Sequence, residues 1–297
     1  MTLYVKYLTA LLLFGSNCIA VSHMTLLSSQ IVLLRTGLGS ALLVFIYLAR
    51  GGHFQIRTAK KDYGWLLCSG MTMGLSWIFL YEAYGYLGIN TASLCMYSAL
   101  VLVMISAPLL FKERVSGTKL VGFLLALTGM VIINGAAFKE QLSLYGLFLG
   151  ALSCLAYGTM IITGKLVRSV QGLKKSTVQV LASFLLTLAY TAAKGVLPFA
   201  ISTAQLPWIL SLGLLNTGVG CYLYFSSIGS IPAQTVAIFD NLELLSAILS
   251  ATLILKEPMT GFQASGMVLI LAGSVVGSIN FKKKSYLPCH PSSEVHP

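Results

Sequence analysis

Two acidic residues stand in an otherwise apolar stretch, Asp240 and Glu243 in Ile238-Phe239-Asp240-Asn241-Leu242-Glu243-Leu244. Three residues apart on a helix, they share one face. Such a pair can bind a cationic or amine-bearing group or carry a coupling proton. It can equally lock two helices together through hydrogen bonds. Arg35, in Leu34-Arg35-Thr36, brings the opposite charge. It can pair with Asp240, Glu243 or Glu82, meet a substrate carboxylate bidentately, or serve packing alone. Asn17, Trp77, Tyr97, Tyr157 and Tyr222 complete the candidate substrate-binding set, because apolar walls with a few hydroxyl and amide groups suit a small-molecule cavity. Glu82 reads instead as a solvated end residue, and Tyr81, Tyr84 and Tyr86 read as an aromatic belt at a membrane interface.

Reactive constellations are missing from the sequence. His23 and His53 have no neighbouring metal ligand, and His290 and His296 lie near the end of the chain. The six cysteines (Cys18, Cys68, Cys95, Cys154, Cys221, Cys289) form no CxxC pair. No GxxxxGK[ST] run points to direct nucleotide hydrolysis. No histidine falls inside an apolar run, and Asp240 is the sole aspartate that does. The expectation is a protein that is not an enzyme and holds neither cofactor nor metal.

The elements that must position these residues follow from composition. Hydrophobic residues make up 57% of the 297 and charged residues 9%, where a soluble domain carries about 25%. So few charges cannot cover a surface in water, so most of the surface must face lipid. Apolar runs near 5–21, 28–49, 63–81, 91–111, 117–136, 143–163, 177–199, 206–226, 233–255 and 262–281 each approach the ~20 residues a membrane helix needs. The fold class expected is therefore an all-α integral membrane protein with ten transmembrane helices. The run at 5–21 is expected to remain as a span and not to be removed as a leader, since its loss would break the repeat described below.

The net charge of +11 is distributed asymmetrically. With the N-terminus inside, inner loops and tails carry 15 of the 19 basic residues, from Lys6 to Lys284; Lys139, Lys194 and Lys256 are outside and Arg35 is within a span. This bias predicts both termini cytoplasmic. It also explains the charge without nucleic acid, and the lipid bilayer is the partner expected.

Shifting the chain by 144 residues lays Lys112-Glu113 on Lys256-Glu257, and 11 of the 26 positions from 106 to 131 then match. The matches include Gly117/Gly261, Gly122/Gly266 and Gly129/Gly273, with Gly74/Gly218, Gly85/Gly229 and Thr91/Thr235 upstream. Equivalent positions are five spans apart, an odd number, so the second half is expected upside down. The organisation expected is two inverted five-helix repeats, residues 1–136 and 142–281, followed by a cytoplasmic, disordered tail at 282–297. Inverted repeats build alternating-access transporters with a midplane site. Gly70/Gly74, Gly146/Gly150 and Gly273/Gly277 have the GxxxG spacing of close helix seams.

These features resemble the drug/metabolite transporter superfamily, in its ten-span branch of two EamA-type domains. The likeness covers about residues 3–281. It rests on Leu109-Leu110-Phe111-Lys112-Glu113 through Gly129, on Leu253-Ile254-Leu255-Lys256-Glu257-Pro258 through Gly273, on Phe14-Gly15-Ser16-Asn17, and on Leu34-Arg35-Thr36. Two prolines often found in the family are replaced by Leu244 and Leu100, so proline kinks are not expected there. The resemblance implies a secondary transporter in the plasma (bacterial inner) membrane that moves a small polar or amphipathic metabolite. Export of an amino acid or related compound is the first expectation, with proton or counter-substrate coupling. Uptake of a nutrient or cofactor precursor is the alternative, and a membrane-embedded enzyme a more remote one.

Overall fold

The computed structural model describes residues 2–52, 60–135, 143–197, 199–256 and 258–279. Glu257 and the tail 282–297 lie outside the described residues. Within them every long element is helical. Helices α1 (Leu3–Gly15) and α2 (Asn17–Ser22) form one crossing with a step at Ser16, and α3 (Ser28–Ala49) forms the second. Helix α4 (Lys60–Tyr97) is broken at Gly88, whose φ of 71° only glycine adopts freely. Lys61–Ile89 and Thr91–Phe111 are consequently two separate crossings, the latter completed by α5 (Ala99–Phe111). The first half ends with α6 (Gly117–Gly135).

The second half begins with α7 (Leu144–Leu166) and α8 (Gly172–Ala193). A short α9 (Leu206–Leu210) then runs through a π-helical stretch, Ser211–Gly220, into α10 (Cys221–Ile228). The last two crossings are α11 (Ala233–Phe239) with α12 (Asn241–Leu253), and α13 (Gly261–Ser278). Among the described residues nine helical segments are long and apolar enough to cross a membrane, and Gly117–Ile133 is a shorter apolar helix that makes the tenth span. The span expected at 177–199 in fact begins at Gly172, because Lys174 and Lys175 are already helical.

The shared Lys-Glu motif has a structural meaning. Lys112 and Lys256 (256 − 112 = 144) are the two non-glycine residues with positive φ among those described, at 53° and 61°. A left-handed residue closes a helix by letting the chain fold back on its last carbonyls. After Lys112 this occurs: the Glu113 N–H donates to the Ala107 carbonyl at 3.1 Å. Each lysine thus ends its span at a position where the chain must turn.

Close packing follows the same offset. A Cβ on Gly122 would stand 2.6 Å from the Gly273 carbonyl oxygen, and one on Gly129 2.5 Å from the Gly266 carbonyl oxygen. Gly122 and Gly266 are partners under the 144-residue shift, and so are Gly129 and Gly273. The seam between α6 and α13 is therefore built from two equivalent crossings. Gly74 abuts Ser183 and Leu186, while Gly218 abuts Leu42 and Gly39, which are the same positions displaced by 144. The GxxxG pairs expected to be packing seams lie against neighbouring helices, with Gly146 on Tyr86 and Leu87 and Gly150 on Cys95.

Candidate functional site

Two of the crossings relevant to the site are interrupted at their centres. In the ninth, α11 stops at Phe239 and α12 starts at Asn241, with the Glu243 N–H donating to the Asp240 carbonyl at 3.1 Å. In the fourth, α4 stops at Tyr97 and α5 starts at Ala99, with the Val101 N–H donating to the Ser98 carbonyl at 3.0 Å. Both are single tight turns, and neither needs the proline that the sequence lacks there. The eighth crossing is loosened where Ser211–Gly220 is π-helical, an irregularity that recurs at functional sites.

Between these interruptions lies a cavity of about 810 Å³ that opens on the face opposite the basic loops. Its mouth is bounded by Ser22, Ile89, Leu255 and Pro258, and apolar side chains such as Phe14, Leu80, Met96, Leu244 and Ile248 form most of its wall. Five of the candidate residues line it: Asn17, Arg35, Trp77, Tyr97 and Glu243.

Arg35 is 3% exposed. Its guanidinium carbon stands 3.9 Å from the centre of the Trp77 ring, and its Nε donates to Thr217 Oγ1 at 3.1 Å. A longer contact of 3.5 Å reaches the Tyr81 hydroxyl. The ring face attracts the cation and fixes its plane. None of the three acids considered as partners pairs with Arg35: among the described residues the single ion pair is Lys194–Glu82 at 2.6 Å. Burial works against the charge on Lys194, but hydrogen bonds to Glu82 and Tyr190 prevail and raise its pKa to about 12. Glu82, expected as a solvated end residue, is instead ion-paired and lies inside the Lys61–Ile89 crossing.

Asp240 and Glu243 occupy different surroundings. Asp240 is 0% exposed and does not line the cavity. Tyr7 donates to its Oδ1 at 2.5 Å and Tyr224 to its Oδ2 at 2.9 Å, which ties the first, eighth and ninth crossings together beneath the cavity floor. Glu243 is only partly buried and faces the cavity, whose wall it shares with Tyr97. The shared helix face holds, but three residues advance a helix by about 4.5 Å, and that rise separates floor from chamber.

Asn17 accepts from Asn216 Nδ2 at 2.9 Å, and the same amide reaches Ser16 Oγ at 3.2 Å. Tyr157 stands behind the wall, edge-on to Tyr97 at 6.4 Å between ring centres. Tyr222 is half-buried, packs against the apolar core and lines no described cavity. Tyr81 and Tyr84, expected in an interfacial belt, line the cavity instead, because the chamber reaches the outer end of their span. Tyr86 does behave as a belt residue, 50% exposed and edge-on to Tyr145.

Sequence reasoning missed Tyr7, Asn216 and Thr217. The adjacent polar pair Asn216-Thr217 within an apolar run was a usable signal. Tyr7 gave none, since its partner is 233 residues away. Thr217 does double duty at the π-helical stretch, donating to the Leu212 carbonyl at 2.8 Å while accepting from Arg35.

Comparison with known proteins agrees with this architecture. The model of the EamA-like transporter family matches twice, over residues 2–135 and 144–279. An uncharacterized transporter of Bacillus subtilis, YxxF, is 22% identical over 96% of this chain and 92% of its own length. A probable amino-acid metabolite efflux pump of Salmonella typhimurium is 24% identical over 80% of this chain and 84% of its own, and one so named in Escherichia coli is 24% identical over 77% and 81%. A protein of known crystal structure shares the fold with a TM-score of 0.80 over 93% of this chain and 98% of its own, at 17% identity.

Proposed function

The chain belongs to the EamA-like transporter family, and we propose that it is a secondary transporter that exports an amino acid or a closely related zwitterion. The observation that carries this reading is the presence of one cation and one carboxylate, Arg35 and Glu243, on the walls of the same cavity without an ion pair between them. Charges inside a membrane are costly and need a partner. A zwitterion supplies both partners in one molecule: its carboxylate meets the guanidinium fork and its ammonium meets Glu243 and the Tyr97 hydroxyl. The stack on Trp77 holds the fork rigid before the substrate arrives. The names of the Salmonella and Escherichia relatives support the same substrate class.

In this reading the two five-helix halves are inverted about a shared axis and rock against one another. Equivalent contacts at Gly122/Gly273 and Gly129/Gly266 support that arrangement. The basic loops face the cytoplasm with both termini, in the plasma membrane, so the cavity opens outward. Asp240 holds the floor closed through Tyr7 and Tyr224. Coupling to a proton or to a counter-substrate is carried by Glu243, the acid within reach of the chamber.

The test is counterflow in proteoliposomes loaded with a mixture of unlabelled amino acids, with labelled amino acids added outside one at a time. Exchange of at least one, abolished in Arg35→Gln, is the expected result. Absence of exchange for every amino acid, in protein that is folded and reconstituted, overturns the zwitterion reading.

A further inference from the structure

A second cavity of about 600 Å³ lies on the basic face, and it shares no lining residue with the first. Four of its lining side chains are cationic, Lys112, Lys165, Arg168 and Lys175, and one is acidic, Glu113. Two of the cations are deeply buried: Lys165 is 8% exposed and Lys175 2%. Neither has an acid within ion-pair distance, the single ion pair among the described residues being elsewhere. Burying an unpaired ammonium is costly, and proteins retain one only for a reason.

The acid of the cavity is already engaged. Glu113 Oε1 accepts from the Ala233 N–H at 2.6 Å and Oε2 from the Gln234 N–H at 3.2 Å, capping the start of α11. The lysines donate hydrogen bonds only to backbone carbonyls, and Lys165 Nζ also stands 5.3 Å from the centre of the Phe111 ring. Lys165 Nζ donates to the Ile228 carbonyl at 3.0 Å and to the Ile231 carbonyl, and Lys175 Nζ donates to the Gly164 carbonyl at 2.6 Å. An ammonium has three donors, so among the described residues one remains on Lys165 and two on Lys175. Carbonyls at helix ends favour a cation, but they do not neutralise two that lie close enough to act on each other. Arg168 and Lys112 add exposed positive charge at the rim.

We propose that this cavity is a binding site for a phosphate group on the basic face of the protein. Four cations against one engaged carboxylate leave a surplus that a singly charged carboxylate would only partly offset, whereas a phosphate brings up to two charges and several strong acceptors. Donors converge from α7, α8 and the loop between them, which suits a tetrahedral oxyanion. The group can belong to an anionic lipid headgroup of the adjoining leaflet or to a free phosphate compound. The site is independent of the zwitterion reading, because its test measures binding and not transport.

The experiment uses the full chain in nanodiscs and reads thermal unfolding and apparent Kd. Inorganic phosphate is titrated against chloride at constant ionic strength in discs of phosphatidylcholine. In a parallel arm phosphatidylglycerol replaces part of the lipid. Stabilisation by phosphate in neutral discs supports the site and assigns a soluble ligand. Stabilisation only by phosphatidylglycerol supports it and assigns the headgroup. Lys165→Gln and Lys175→Gln should each weaken the effective probe about tenfold or more, the scale of one charge-assisted hydrogen bond. Arg168→Gln, on the exposed rim, should weaken it less and keeps the test available if a buried variant fails to fold. Two results overturn the proposal. One is no response to either probe in the unmutated chain. The other is Lys165→Gln and Lys175→Gln variants that lose stability yet respond to the probe unchanged, as helix-end ties alone would.

Discussion

Asp240 and Glu243 are of one chemical kind, on one helix face, three residues apart, and the structure gives them opposite circumstances. Asp240 is sealed, with a phenol on each oxygen and three crossings joined at it. Glu243 looks into an open chamber, with a phenol and a buried guanidinium sharing the walls. The difference teaches that a carboxylate in a membrane protein is defined by what remains unsatisfied around it. An acid whose acceptors are all occupied holds helices in place. An acid with acceptors to spare is available to a ligand.

The sharpest way to break this comparison is Asp240→Ala. Both phenols lose their acceptor in a dry site, and stability should drop by about 2–4 kcal/mol, read as the unfolding midpoint in detergent. An unchanged midpoint would remove Asp240 from its structural role. Next in size, Glu243→Gln should leave that midpoint nearly unmoved while lowering exchange of an amine-bearing substrate by about 10- to 100-fold, the scale of a lost charge-assisted bond. If exchange persisted and stability collapsed, the two acids would have to trade roles. The smallest effect is expected from Tyr7→Phe, which deletes one of the two bonds to Asp240 and should cost roughly 0.6–1.7 kcal/mol. Exchange by Tyr7→Phe should keep the unmutated chain's substrate preference, because Tyr7 lies outside the chamber wall.

Much of the scaffold was legible beforehand, for identifiable reasons. Apolar runs of membrane length are explicit in composition, and their ends lie close to the observed helices. The end near Lys174 was misplaced because two lysines were read as loop, although both are helical and Lys175 is buried, donating to the Gly164 carbonyl. The glycine seams were legible because a missing side chain permits backbone contact wherever it recurs at helix spacing. At the site, five of eight candidates line the chamber. Their types betrayed them, since a charge or amide in an apolar run demands a partner. What periodicity did not separate was depth: it assigned Asp240 and Glu243 to one face, but not to floor and chamber. The interruptions at Ser98 and Asp240 carry no proline signal, so residue identity alone did not place them. Tyr81 and Tyr84 were misjudged because distance from the membrane surface does not reveal which way a wall faces.

The crossing of α6 and α13 has a mechanical consequence. Where Gly122 meets Gly273, backbone touches backbone with no side chain between to stretch or compress. A rigid body that tilts about such a line of contact moves least there, and its displacement grows in proportion to distance. These two helices touch chiefly each other, so in the rocking proposed above their contact would act as the fulcrum of a lever, and the opposite wall of the chamber as its long arm. A methyl group added to Gly122 or Gly273 would wedge the fulcrum open and set a fixed offset at the far wall. On that proposal, small residues at the pivot would set how far the mouth travels, although they line no part of the chamber.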